Sequence, residues 1–413
     1  MATTQKLTMP DIISPFARPL YVMLKPAGSL CNMRCDYCYY LEKSKLYPQK
    51  EERLMNDEML ELFIKQYIES QTQPQILFTW HGGEPLMRPL SFYRHAIKLQ
   101  RKYAHGRQIE NCIQTNGTLL TDEWCEFFKA NNILVGISID GPKEFHDSYR
   151  HTQQGGPSFD KVMAGIRLLQ KHGVEWNAMA VVNNRNADHP QAFYQFFKSL
   201  GCQFLQFTPI VERTVERPDG LTLAPGMTTG GVLTDFSITP RQWGNFLCGV
   251  YDQWVKNDVG KVFVQLFDAT LANWMGVNPG LCTMSSQCGH AAVMEANGDL
   301  YSCDHFVYPE HLLGNIRQLT ITGMMYGQQQ QEFAKMKTAS LPRQCRECRF
   351  LFACHGECPK NRFIEDRHGE PGLNYLCTGY RQFFEHVAND MEFMCNELRH
   401  QRPPANIMEM KKK

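Results

Sequence analysis

The chain has no apolar run of about 18 residues or more, the length needed to cross a bilayer. Residues 1–18 carry neither an apolar core nor a small-residue cleavage pattern of the kind found in signal peptides. A cytoplasmic protein without membrane contact is therefore expected. An excess of either charge is also missing: 43 Lys and Arg face 42 Asp and Glu, and no like-charged block stands out beyond the terminal Lys411-Lys412-Lys413. Nothing advertises nucleic acid or an acidic lipid surface. No internal repeat occurs, and the short glutamine tract at 328–331 reads as a helix surface. Cysteine, by contrast, is abundant. Sixteen cysteines without an export pattern argue against a disulfide framework and toward metal or cluster binding.

At 413 residues the chain exceeds one ordinary core, so two domains or a barrel with an appendage are expected. Short β-rich, mostly apolar runs at 20–24, 75–80, 109–114, 134–139, 176–182 and 204–207 alternate with longer amphipathic segments. Met59, Leu62, Phe63 and Tyr67, and then Val162, Ile166 and Leu169, recur at helical spacing. This is the pattern of βα units, and it predicts an α/β fold with six parallel strands as a partial (β/α)6 barrel, open on one side. Residues 212–239, rich in Gly, Thr and Pro, read as a loop or linker closed by a Thr239-Pro240 helix start. The expected division is a barrel over 1–238, a helical linker over 239–275, a cysteine-rich domain over 276–385 and a C-terminal helix and tail over 386–413.

Cys31, Cys35 and Cys38 stand in C-x3-C-x2-C spacing just after the first strand, where functional groups of parallel α/β folds collect. A cubane iron–sulfur cluster takes one thiolate per iron, so three thiols leave one iron open to a non-protein ligand. Zinc with a distant fourth ligand, or plain packing, would use the same residues. The spacing resembles the S-adenosylmethionine (SAM) site of radical SAM enzymes. There SAM chelates the open iron and is cleaved to a 5'-deoxyadenosyl radical.

Eight further cysteines lie in the last third: Cys282, Cys288, Cys303, then Cys345, Cys348, Cys354, Cys358, and Cys377. Two four-thiolate zinc sites and two cubanes would use the same eight ligands. Their order, with Gly298 to Cys303 as a G-x4-C element, resembles the SPASM extension of radical SAM peptide-modifying enzymes. That resemblance implies one auxiliary cluster on Cys282, Cys288, Cys303 and Cys358, and a second on Cys345, Cys348, Cys354 and Cys377. With the SAM-binding cluster, three 4Fe-4S clusters are implied.

Separate stretches sharpen the resemblance: CNMRCDYCYY from Cys31, TWHGGEP from Thr79, QTNG from Gln114, SIDGP from Ser138, Cys303-Asp304-His305, and GLNYLC ending at Cys377. Together they resemble the anaerobic sulfatase-maturating enzymes, which convert a Cys or Ser in a C/S-x-P/A-x-R type motif of a sulfatase into formylglycine. The resemblance implies Asp304 as catalytic base. It implies Gly82, Gly83 and Glu84 at the SAM amino group, and Tyr37, Ser138, Arg150 and Leu205 at the rest of SAM. Tyr40 is the implied substrate contact. The implied partners are a sulfatase polypeptide and a flavodoxin- or ferredoxin-type electron donor, with the enzyme a monomer. The competing readings are a crosslink-forming SPASM enzyme and a zinc-stabilised regulatory protein. Cys112, Cys125, Cys202, Cys248 and Cys395 lack ligand spacing and are expected to be free. Histidines beside the motifs are expected to bond the backbone.

Overall fold

A computed structural model describes residues 20–49, 53–228 and 230–412; the N-terminal segment read for a signal pattern and the last lysine of the tail lie outside them. Strands β1 (Tyr21–Leu24), β2 (Gln75–Trp80), β3 (Gln108–Thr115), β4 (Leu134–Ser138), β5 (Trp176–Val182) and β6 (Phe204–Pro209) pair in chain order, all parallel. Every second residue faces the covering helices: Ile76, Phe78 and Trp80 on β2, and Ala178, Ala180 and Val182 on β5, are buried. The alternate residues face the concave side, the barrel lumen, and are mostly half-exposed.

The helices follow the expected stripes. In α1 (Asp57–Glu69), Asn56 caps the first turn by accepting from the Met59 N–H, and Met59, Phe63 and Tyr67 are buried. In α2 (Phe159–Lys171), Val162, Ile166 and Leu169 are buried. Helix α3 (Pro190–Ser199) lays Phe193 and Phe197 against Phe207 of β6. Helix α4 (Pro240–Asn257) starts on Thr239 with a full capping box to Gln242 and proline in its first turn.

The sheet runs on past the expected barrel at both edges. A short hairpin, β7 (Arg213–Thr214) and β8 (Val232–Leu233), lies within the segment read as a linker. Strand β9 (Phe263–Val264) adds to β6. At the other edge β10 (Ala291–Met294) pairs parallel with β1, followed by antiparallel β11 (Asp299–Tyr301) and β12 (Leu312–Asn315). The result is one ten-stranded sheet that crosses the boundary expected at 238/239. Helix α5 (Cys377–Arg399) likewise runs through the boundary expected at 385/386. Periodicity marks a strand but not its neighbour, so β10 reads as part of the cysteine region although its hydrogen bonds belong to β1.

Candidate active site

The chain leaves β1 into a loop carrying Cys31, Cys35 and Cys38, whose thiols lie close enough to oppose one another's ionisation. Burial pushes the Cys31 and Cys35 thiols up to about 12. Cys31 Sγ accepts from the Met33 N–H at 3.3 Å and from Asn116 Nδ2 at 3.7 Å. All sixteen cysteines are free. Among the described residues no three His, Cys, Asp or Glu side chains gather as a single metal ion requires.

Glycines 82 and 83 were expected to admit a ligand; here they admit the cysteine loop. A Cβ on Gly83 would lie 2.2 Å from the Leu30 carbonyl oxygen, and one on Gly82 2.7 Å from that of Gly28. The Gly83 and Glu84 N–H groups donate to those same carbonyls, of Gly28 at 2.9 Å and Leu30 at 2.8 Å. Glu84 is fully buried and accepts from the Leu86 N–H, Thr115 Oγ1 and the Asn116 N–H. Burial pushes its carboxyl up to about 7 against those hydrogen bonds, and its charge acts on Cys31. It therefore stands beside the cysteine loop.

Asp140, which sequence reasoning did not single out, organises the next wall. Its carboxylate accepts from Tyr37 Oη, from Arg150 Nη2 at 3.0 Å and from the Val181 N–H at 2.9 Å, and pairs with Arg150 Nε at 2.9 Å. Burial opposes the Arg150 charge, yet Asp140 holds it well above the ordinary range. Ser138 accepts from Gln114 Nε2 at 2.9 Å on the lumen side. Leu205 is not brought to this site. It shares the helix-facing side of β6 with Phe207 and is 1 % exposed, because strand alternation turns Gln206 and Thr208 into the lumen instead.

Asp304, directly after β11 and Cys303, is reached from β1 by Lys25. Lys25 Nζ lies 2.8 Å from Asp304 Oδ1 and 2.9 Å from Glu295 Oε1, with 1 % of the lysine side chain exposed. Asp304 Oδ2 accepts from Tyr39 Oη and Tyr40 Oη, both at 2.5 Å. Burial opposes ionisation of Asp304, but Lys25 and His81 hold its carboxyl well below the usual carboxylate range. Tyr40, the expected substrate contact, also meets His81 Nδ1 at 3.3 Å. His81 accepts from the Gly82 N–H, and burial pushes its imidazole below the ordinary histidine range while Asp304 opposes that. Lys25, Glu295 and Tyr39 were missed; a lysine at the C-terminal end of a barrel strand was the available signal. Replacing Lys25 by Met leaves two buried carboxylates facing each other, a loss of about 3–5 kcal/mol. The expected readout is a lowered thermal midpoint of the loaded enzyme, and an unchanged midpoint would show that the carboxylates need no cation.

The eight C-terminal thiols fall into two sets. Cys282, Cys288, Cys303 and Cys358 act on one another's ionisation, burial pushing Cys288 up to about 11. Cys345, Cys348, Cys354 and Cys377 form the second set, with Cys345 pushed up to about 12. The Arg362 guanidinium favours the thiolates of Cys288 and Cys345 and so serves both sets. Removing Cys345, Cys348, Cys354 and Cys377 is expected to give an insoluble or thermally weak protein as well as no turnover, because a group tying 345–354 to the start of α5 contributes to folding. A stable, active, iron-poor variant would make these thiols ordinary core residues. Cys112 stays apart from all three sets, 3.1 Å from Thr79 Oγ1.

The radical SAM superfamily matches residues 26–197, and the iron–sulfur cluster-binding SPASM domain matches residues 282–349. A serine-type anaerobic sulfatase-maturating enzyme of Bacteroides thetaiotaomicron is 64% identical over 397 residues, 96% of either chain. A cysteine-type enzyme of Clostridium perfringens is 30% identical over 384 residues, 92% of this chain and 100% of that one. The solved structure of native anSMEcpe with bound AdoMet superposes with a TM-score of 0.81 at 31% identity, covering 92% of this chain and 100% of the other. Streptococcus suis SuiB bound to S-adenosylmethionine, at 12% identity and a TM-score of 0.56 over 87% of this chain and 75% of its own, shares the fold. On identity of this extent along nearly its whole length, the chain belongs to the anaerobic sulfatase-maturating enzymes, a radical SAM family carrying a SPASM iron–sulfur domain.

Proposed function

We propose that this enzyme oxidises a serine of a sulfatase polypeptide, in a C/S-x-P/A-x-R type segment, to formylglycine with SAM and without oxygen. The observation that carries the reading is the meeting of β1, the cysteine loop and the β11 end on the Asp304 carboxylate, within a chain 64% identical to a serine-type relative. Serine rather than cysteine is supported by that relative and by a second serine-type enzyme at 36%, against 30% for the cysteine type.

In this reading Cys31, Cys35 and Cys38 hold the SAM-binding cluster, and the two C-terminal sets hold the auxiliary ones. Bound there, these clusters supply the electron that cleaves SAM and take up the electron the substrate releases. Glu84, Ser138, Arg150 and Tyr37 wall the SAM side, with Asp140 orienting the last two. Conversion of a CH2OH group to CHO removes two hydrogens: one leaves as an atom to the deoxyadenosyl radical, the other as a proton. Asp304 takes that proton. Because Oδ2 already accepts from two tyrosines and Oδ1 faces Lys25, the substrate hydroxyl must displace Tyr39 or Tyr40 to reach it. Asp304 is a weak base in this setting, but a hydroxyl on a carbon radical is far more acidic than an ordinary alcohol.

Sixteen free cysteines support a reducing cytoplasm, and among the described residues no helix is long and apolar enough to cross a membrane. A flavodoxin- or ferredoxin-type protein is the proposed electron donor.

Anaerobic incubation with SAM, a reductant and paired Ser and Cys motif peptides tests the reading by mass spectrometry with hydrazide trapping. The expected result is an aldehyde on the Ser peptide. A product two hydrogens lighter that resists hydrazide would be a crosslink and would overturn it.

A further inference from the structure

Two buried cations beside the C-terminal thiols take no part in SAM binding or proton transfer. Lys337, in the helix Gln328–Ala339, is 0% exposed, and Arg362, at the start of the strand Arg362–Glu365, is 1% exposed. A buried charge is costly unless an opposite charge faces it. Among the described residues neither pairs with a carboxylate; their hydrogen-bond partners are carbonyls and one hydroxyl. Lys337 Nζ donates to the Cys282 and Thr283 carbonyls at 2.9 and 2.8 Å, and so grips the loop that carries the first C-terminal thiol.

The backbone is bent out of its ordinary conformations to hold Arg362. His355, Gly356 and Glu357, the residues between Cys354 and Cys358, are all left-handed, with φ of 49°, 72° and 54°. For histidine and glutamate that conformation is strained. It turns three carbonyls onto the guanidinium: that of Gly356 accepts from Nε at 2.7 Å, and those of His355 and Glu357 from Nη2 at 2.7 and 3.2 Å. A Cβ on Gly356 would sit 2.4 Å from Nη2, so glycine admits the side chain. Nη1 donates to the Lys337 carbonyl at 2.5 Å, which joins the segments of the two cations. Cys354 belongs to one thiol set and Cys358 to the other, so Arg362 stands at their junction. One carboxylate shares the region: Glu357 is buried, accepts from Asn361 and Asn374, and opposes ionisation of Cys354 and Cys358. Two cations against one carboxylate leave an excess of buried positive charge, and the surrounding thiolates balance it. Burial opposes the Arg362 charge, which Cys345, Glu357, Cys354 and Cys358 favour, and Lys337 favours the thiolates of Cys282 and Cys288.

We propose that Lys337 and Arg362 supply fixed positive charge that raises the reduction potentials of the auxiliary clusters, Lys337 for the one on Cys282, Cys288, Cys303 and Cys358, and Arg362 for both. A four-thiolate cluster carries a net negative charge that grows by one on reduction, and net charge and surroundings set its potential. A cation fixed beside it therefore favours the reduced form, as taking up the substrate's electron requires. Both residues act through the clusters and touch neither SAM nor substrate. The inference rests on the reading that the two thiol sets hold iron–sulfur clusters, and it does not depend on which residue the sulfatase offers.

The test is a mediated redox titration of the loaded full-length enzyme, read by EPR with and without SAM. SAM perturbs the signal of the cluster that binds it, which identifies the two auxiliary signals. Lys337→Gln should shift the reduction equilibrium of one auxiliary cluster about tenfold toward the oxidised form, about 59 mV downward for one electron, and the other less than about threefold. Arg362→Gln should lower both potentials. Glutamine keeps a donor for the carbonyls, so lost charge is the main change. Lys337→Arg and Arg362→Lys should stay within about threefold of wild type. A Gln variant that loads no auxiliary iron, beside a charge-retaining variant that loads fully, also supports the proposal, because the charge is then needed for the cluster to bind at all. Unchanged or raised potentials in the Gln variants, or iron lost equally from the neutral and charge-retaining variants, overturn it. Wild type lacking two SAM-insensitive cluster signals rejects the cluster reading instead.

Discussion

Asp304→Asn should continue to make deoxyadenosine from SAM while formylglycine falls by about a hundredfold or more, the scale of losing a positioned acid–base group. Asparagine keeps the size and can still accept from Tyr39 and Tyr40, but an amide takes no proton at neutral pH. It also removes the anion that Lys25 faces at 2.8 Å, yet Lys25 keeps Glu295 at 2.9 Å, so the buried ammonium is not stranded. The fold around the site should therefore survive, and anaerobic product analysis should find SAM cleavage uncoupled from peptide oxidation. A parallel fall of both products, or no change in either, would assign the proton to another acceptor.

Replacing Cys31, Cys35 and Cys38 together by Ala should abolish deoxyadenosine formation outright and leave about two-thirds of the iron, since one cluster in three loses its ligands. The loop does not depend on those thiols for its path. Gly83 and Glu84 hold Gly28 and Leu30, and the Arg34 and Asp36 N–H groups donate to the His151 and Tyr149 carbonyls at 2.8 and 2.9 Å. Both C-terminal thiol sets are held by other elements, so their iron should remain. Iron analysis and deoxyadenosine assay of the reconstituted variant decide the matter. Normal SAM cleavage would sink the radical assignment, and loss of all iron would show that the three thiol sets depend on one another.

Local signals sufficed for much of this protein. Six strands, the capped start of α4, the three-cysteine loop and the membership of eight C-terminal thiols in a metal-binding region are all matters of short spacing, and spacing is written in the chain. Asp304 was legible because it adjoins Cys303 in sequence. The errors and omissions concern partners far apart along the chain. The roles of Gly82 and Gly83 depend on the carbonyls of Gly28 and Leu30, more than fifty residues away. Lys25 is one lysine among many until β10 pairs with β1 and brings Glu295 and Asp304 to its ammonium, some 270 residues on. Leu205 looked suitable by position, but which face of a strand meets the lumen is fixed by what packs behind it, here Phe193 and Phe246 against Phe207. The sequence by itself determined which thiols stand at ligand spacing, because residue type and spacing need no fold to be read, while iron–sulfur in place of zinc came from the family resemblance. Only the tertiary structure decided which carboxylate meets which cation and which side chains share the lumen. Those outcomes depend on strand order and register, and neither is encoded in any single segment.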